Sequence, residues 1–105
     1  MSGTFQGRVA FASIRYTGAV PAIVAQSGDF GAITATGVNP GECNIVLATP
    51  IDPDEAFISF GCRGLAGEAH VAAWTDTLLT VHRTASGGAA ADRDFDLTIL
   101  VKPSN

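Results

Sequence analysis

The sequence predicts an all-β protein: a single antiparallel β-sandwich of about eight strands with a jelly-roll or Greek-key-like topology. Short apolar runs recur along the whole chain, and residues typical of turns (Gly, Pro, Asn, Asp and Ser) separate them. The final run alternates apolar and polar side chains, which is the pattern of a strand with one buried face. The length of 105 residues is that of one domain.

Four strands are predicted in the first half of the chain, at residues 8–16, 20–26, 30–36 and 43–49. Gly18 ends the first, and Gly28 lies between the second and third. Asn39-Pro40-Gly41 predicts a tight turn before the fourth, because proline fixes φ and glycine tolerates positive φ.

The second half begins with residues 50–55, where two prolines remove two ladder donors and predict an exposed connection. Residues 56–62 form the next predicted strand. Residues 64–84 are compatible with a helix, but we favour two strands at 71–74 and 78–84. The three-residue link between them, Thr75-Asp76-Thr77, suits a hairpin.

The last predicted strand has the clearest pattern. Its apolar face carries Phe95, Leu97, Ile99 and Val101. The other face carries Asp94, Asp96, Thr98 and Lys102, with Leu100 as an apolar exception. This alternation predicts that one face packs on a core and the other meets water.

Charge and hydropathy limit the partners. Ten acidic and six basic residues give a net charge of −4, the wrong sign for binding phosphate backbones, so we expect no nucleic-acid partner. We expect no membrane partner either, because no window of 18 residues is apolar throughout. The first residues lack the order of a secretion signal, and we expect synthesis and folding in the cytoplasm. Mean hydropathy is positive and only 15% of residues are charged, which favours an oligomer that hides apolar area between subunits.

Cys43 and Cys62 leave two states open, one disulfide or two free thiols. Because a reducing compartment keeps thiols reduced, free thiols are favoured. With two cysteines in the chain, a structural zinc site has little support.

No constellation of residues predicts an enzyme. A catalytic role for His70 or His82 needs a nucleophile within reach, and neither Cys62 nor Ser86 lies in a recognisable motif. We therefore assign no catalytic residues. No glycine pattern predicts a phosphate-binding loop, and we expect no cofactor.

Two carboxylate clusters raise the question of a cation site. They are Asp52, Asp54 and Glu55, and Asp92, Asp94 and Asp96. The second begins like a calcium loop, but Leu97 stands where that loop needs a turn glycine. We interpret both clusters as solvated charge and predict no metal site.

Several segments together resemble the small β-sandwich modules of tailed-bacteriophage virions, found in tail fibres, spikes and head-decoration proteins. The similar segments are Val9-Ala10-Phe11, the turn at residues 27–30, the strand at 41–47, the Thr-Pro-x-Asp link and aromatic strand at 49–60, the hairpin at 74–84 and the final strand at 94–101. The resemblance implies a non-enzymatic structural protein of the virion surface: a capsid decoration, head spike or tail-associated knob. It also implies a homo-oligomer, expected to be a trimer, with capsid or tail proteins as further partners.

Three residues are candidate subunit or ligand contacts under this hypothesis: Phe5, Trp74 and His82. Residues 1–7 would form an N-terminal segment and candidate anchor, and residues 8–105 the sandwich. The alternative hypothesis is a carbohydrate-binding or receptor-binding module in which Trp74 stacks on a sugar of a cell-surface glycan. Trp74 as part of the core, or as filler at a subunit contact, is the simpler interpretation.

Overall fold

The computed structural model describes residues 7–62, 67–85 and 91–103, and within these ranges it contains eight strands and one short 3-10 turn at Pro53–Glu55. The all-β prediction is confirmed, including the two strands in the region that was compatible with a helix. No helix in the described ranges is long and apolar enough to cross a membrane. The strands are β1 Arg8–Thr17, β2 Val20–Gln26, β3 Phe30–Ala35, β4 Glu42–Leu47, β5 Ala56–Cys62, β6 Gly67–Trp74, β7 Leu78–Ala85 and β8 Phe95–Val101.

The strands form two four-stranded antiparallel sheets. Sheet A has the order β2-β1-β8-β5, and sheet B has the order β3-β4-β7-β6. Three local hairpins, β1–β2, β3–β4 and β6–β7, lie within one sheet each, and the other connections cross between sheets. The neighbours β4–β7 and β5–β8 are distant in sequence, which is crossover connectivity of the Greek-key kind. Strand order depends on these long-range pairings, which strand patterns in the sequence do not encode.

The core lies between the sheets and is built by alternation along each strand. Sheet A contributes the alternate residues of β1 and β8, and sheet B those of β4 and β7. Their buried apolar side chains are Ala10, Ala12, Ile14, Phe95, Leu97, Ile99, Cys43, Ile45, Leu47, Leu79 and Val81. Full burial of each of the larger ones contributes about 1.5–3 kcal/mol, so this layer is the main source of stability.

The connection over residues 50–55 differs in part from its prediction. Asp52 accepts a hydrogen bond from the Asp54 backbone (2.9 Å) and caps the 3-10 turn on the surface. Ile51, however, is fully buried in the core, and its N–H donates to the Asp76 carbonyl (2.9 Å) in the β6–β7 link. The segment therefore closes one end of the core, where an apolar side chain is needed between the two sheets.

Candidate functional site

Of the three predicted contact residues, the structure describes Trp74 and His82 and does not bring these two together. Phe5 lies outside the described residues. Trp74 is half-buried at the end of β6, opposite Leu79, and packs against the core. His82 lies three residues beyond Leu79 on β7, and alternation directs it to the outer face of sheet B. Trp74 and His82 thus face opposite sides of the same sheet.

His82 is the centre of a polar row on the outer face of sheet B. His70 lies directly opposite it on β6, with the two rings edge to face at 5.1 Å between centroids, and Glu42 lies opposite it on β4. The Thr36 hydroxyl donates to the Glu42 carboxylate (2.9 Å). Of the earlier nucleophile candidates, Cys62 belongs to the other sheet and Ser86 lies outside the described residues. The row therefore brings imidazole and carboxylate groups together, and Cys62 is not part of it.

The aspartates near β8 each serve a different partner. Asp92 accepts from the Gly41 backbone N–H (2.6 Å), and Asp94 from the Tyr16 backbone N–H (2.8 Å). Asp96 forms an ion pair with Arg15 (3.2 Å). Through these two hydrogen bonds and one ion pair, the carboxylates connect β8 and the segment before it to neighbouring parts of the chain. Within the described ranges, no three His, Cys, Asp or Glu side chains are placed to hold a metal ion.

Arg83 is a buried charge that sequence reasoning missed. It follows Leu79 and Val81 on the inward face of β7 and is fully buried. Its Nε donates to the Asp94 carbonyl (3.2 Å), and its Nη1 donates to the Thr84 carbonyl. The guanidinium thus joins the end of β7 to the start of β8. The signal available in the sequence was the two-residue alternation, which places Arg83 on the same face of the strand as Leu79 and Val81.

Both cysteines are free. Cys43 is buried on β4 of sheet B, and Cys62 is exposed on β5 of sheet A. Burial raises the pKa of the Cys43 thiol to about 11. Burial also raises the pKa of the Tyr16 hydroxyl, and the nearby Cys43 thiolate raises it further. Both groups are therefore neutral in the folded protein at physiological pH.

These raised pKa values predict a loss of stability in alkali. Above about pH 9, the unfolded chain releases the Cys43 proton while the folded chain keeps it. The contribution of Cys43 to the free energy of unfolding is therefore fully present below pH 9 and falls as the pH rises toward 11. Tyr16 acts with the same sign at higher pH. We expect the free energy of unfolding to fall by about 1.4 kcal/mol per pH unit for each group.

Urea unfolding from about pH 8 to about pH 10.5, with reductant present, measures this slope. The Tyr16→Phe/Cys43→Ala double variant is the control, because it removes both titrating groups and should flatten the curve. Equal slopes in the two proteins would contradict the assignment.

The outer face of sheet A carries an exposed apolar cluster, which we call the outer apolar patch: Val9, Phe11, Phe57 and Leu100. These residues are 49%, 44%, 67% and 40% exposed. Leu100 is opposite Val9 on one side and Phe57 on the other, so these three form a continuous row across β1, β8 and β5. Phe11 lies one outward position further along β1. The sequence showed Leu100 as an apolar exception, but only the register aligns it with Val9 and Phe57.

Ion pairs flank the outer apolar patch along the strands. Lys102 and Glu55 form one at 2.7 Å beyond the Phe57–Leu100 pair, and Arg15 and Asp96 form the other toward the opposite end. An apolar centre with a polar rim is the usual anatomy of a protein interface. Each ion pair is internally neutral, so the rim adds little net charge to the face.

Comparisons with known proteins supply no relative. The chain matches no protein-family model, no curated protein and no solved structure.

Proposed function

We propose that this chain is a non-enzymatic structural module that acts by homo-oligomeric assembly, with the outer apolar patch as its docking face. The observation that carries the proposal is the aligned row of Val9, Leu100 and Phe57 on a sheet face with an ion-paired rim.

The size of the patch supports this role. Its four side chains expose roughly 350 Å² of mostly apolar surface, within the range of the largest patches on soluble proteins, which are often functional. Phe57 and Phe11 are large and stiff, so their burial brings much apolar area out of water at a small cost in side-chain entropy. The favourable term is thus the same hydrophobic burial that holds the core together.

We place this module on a bacteriophage virion, as a capsid decoration, head spike or tail-associated knob. What supports this setting is the resemblance in the order of segments, together with the small two-sheet sandwich. Capsid or tail proteins are then the further partners, and the virion surface is the location. The resemblance implies a trimer, but the number of copies is not part of the proposal.

We do not propose the carbohydrate-binding alternative. It required Trp74 as a stacking platform, and the Trp74 ring is half-buried and packs against the core.

The test is the molar mass in solution, measured by light scattering over a wide range of concentration. We expect a multiple of 10.7 kDa. Leu100→Lys places a charge in the centre of the patch and should weaken association at the docking face by about a hundredfold. The strand should still form, because Leu100 lies on the outer face.

Val46→Lys is the matched control, since Val46 has nearly the same exposure as Leu100 but lies on β4 of the other sheet. It should leave the molar mass unchanged. A monomer at all concentrations would overturn the assembly proposal, and an equal effect of the two variants would overturn the role of the patch.

A further inference from the structure

The four edge strands of the sandwich differ in how they are protected against pairing with another strand. A register shift, as at a β-bulge, interrupts the pairing of β2, β3 and β6 with their neighbours. Strand β2 also carries Pro21, and β6 carries the charged Glu68. Strand β5 has no such device: it pairs with β8 in continuous register over Ala56–Cys62 and contains neither a charge nor a proline. Bulges, charges and prolines are the usual protection of sheet edges, so among the described strands β5 is the edge most open to pairing.

The register shows which backbone groups of β5 are available. The Lys102 N–H donates to the carbonyl of Glu55, the residue opposite it, so odd-numbered residues of β5 exchange hydrogen bonds with β8. The backbone groups of Ala56, Ile58, Phe60 and Cys62 therefore point to the free edge. The same alternation across sheet A directs the backbone groups of Phe11 toward β2. This agrees with the hydrogen bond that the Phe11 carbonyl accepts from the Ser27 N–H (3.0 Å).

Within the described ranges, space is available beside this edge. An open groove of about 480 Å³ lies between β5 and β6. Its walls are Ile58, Ser59, Phe60 and Cys62 on one side and Gly67, Glu68 and Ala69 on the other. The groove thus follows the edge along which Ile58, Phe60 and Cys62 present their backbone groups.

We propose that β5 pairs with β5 of a second copy of this chain, antiparallel about a two-fold axis through Ser59. Sheets A of the two copies then form one continuous eight-stranded sheet. Ser59 lies opposite its own counterpart, Ile58 opposite the second copy's Phe60, and Phe57 opposite the second copy's Gly61.

Two features select this register. It is the two-fold register in which all seven residues of β5 have a partner, and every edge-facing residue then meets another edge-facing residue, so the hydrogen-bonding groups match. It also places the exposed Phe57 ring beside Gly61. No heavy atom lies within 4 Å of the position that a Cβ would take at Gly61, so the ring has room there. An aromatic ring over a cross-strand glycine covers backbone that would otherwise remain exposed.

The pairing also brings the two outer apolar patches together. Phe57 lies on β5 at the edge of sheet A and ends the Val9–Leu100–Phe57 row, so the rows of both copies lie on the same face of the continuous sheet, on either side of the axis. The inference rests on the proposed function in taking self-association as the role of the chain. It adds the contact and the symmetry, and it predicts a mass of two chains or an even multiple.

A cysteine at the axis tests the register. In a Cys62→Ser background, Ser59→Cys places two thiols across a non-hydrogen-bonded pair, where the Cα separation of about 4.5 Å falls within the range for a disulfide. We expect a mild oxidant to convert this variant to a covalent dimer. The wild-type chain is the matched control: its exposed Cys62 lies on the same strand but opposite Ala56 of the second copy, so it should cross-link far more slowly.

A charge at the axis is the second test. Ser59 is exposed, so Ser59→Lys should fold normally, which circular dichroism checks, and the two like charges should weaken the dimer by about a hundredfold. Ala25→Lys, exposed on β2 at the far edge of the same sheet, should have no such effect. Equal cross-linking rates for Ser59→Cys and Cys62, or an unchanged mass for Ser59→Lys, would overturn the pairing. If the wild type is still oligomeric and Leu100→Lys dissociates it, the proposed function survives; a monomeric wild type overturns both.

Discussion

Replacing Gly41 with alanine is expected to lower the free energy of unfolding by about 3 kcal/mol. Two effects combine at this position. Gly41 has φ +74°, a left-handed conformation that costs an L-residue about 1–2 kcal/mol. A Cβ at Gly41 would also overlap two backbone carbonyl oxygens, that of Arg83 in β7 and that of Ala91 in the segment before β8. Backbone atoms cannot move aside as the end of a flexible side chain can.

Gly37→Ala separates the two effects. Gly37 has nearly the same conformation, φ +76°, but nothing lies within 4 Å of its Cβ position. This control should cost only the conformational part, about 1–2 kcal/mol. Urea unfolding followed by Trp74 fluorescence, at one protein concentration, gives both values. Similar losses would show that the close approach of the carbonyls to Gly41 does not matter for stability.

The second large effect is expected for Arg83→Met. Methionine keeps the apolar stem but removes the donors to the Asp94 and Thr84 carbonyls. A buried polar group left without its partner costs about 1–3 kcal/mol, so two carbonyls predict a loss of about 3 kcal/mol. Water has little access to replace the donors, because Arg83 is fully buried.

Arg15→Met is the control for this substitution. Arg15 also donates to a carboxylate and a carbonyl, Asp96 and Ile14, but it lies on the outer face and remains in contact with water. Its ion pair should contribute no more than about 1 kcal/mol. If the two variants lost similar amounts of unfolding free energy, burial would not be what makes the Arg83 contacts stabilising.

Much of the fold could be predicted from the sequence because its signals are local. Pro40 and Gly41 set the backbone conformation of their own turn. The alternation of β8 likewise depends only on residues within that strand. The same local reasoning failed at Ile51, where the two prolines nearby indicated an exposed loop. Burial of Ile51 depends on the two sheets that meet around it, and no residue close in sequence reports that.

The candidate surfaces were harder to predict. Phe57, Leu100 and Val9 come from three separate strands, and their alignment depends on the β1–β8 and β5–β8 registers. A shift of one residue in either pairing would send one set of side chains to the other face. Arg83 was missed for a related reason: it donates to the Thr84 and Asp94 carbonyls where β7 and the start of β8 meet, and only the folded chain forms that junction.

By itself, the sequence determined the all-β class and the positions of most strands, because turn residues and two-residue alternation depend on neighbouring side chains alone. Only the tertiary structure decided the strand order, the burial of Arg83 and Ile51, the outer apolar patch and the unprotected edge at β5. Each of these depends on which distant strands become neighbours, and that choice is made by the packing of the whole core.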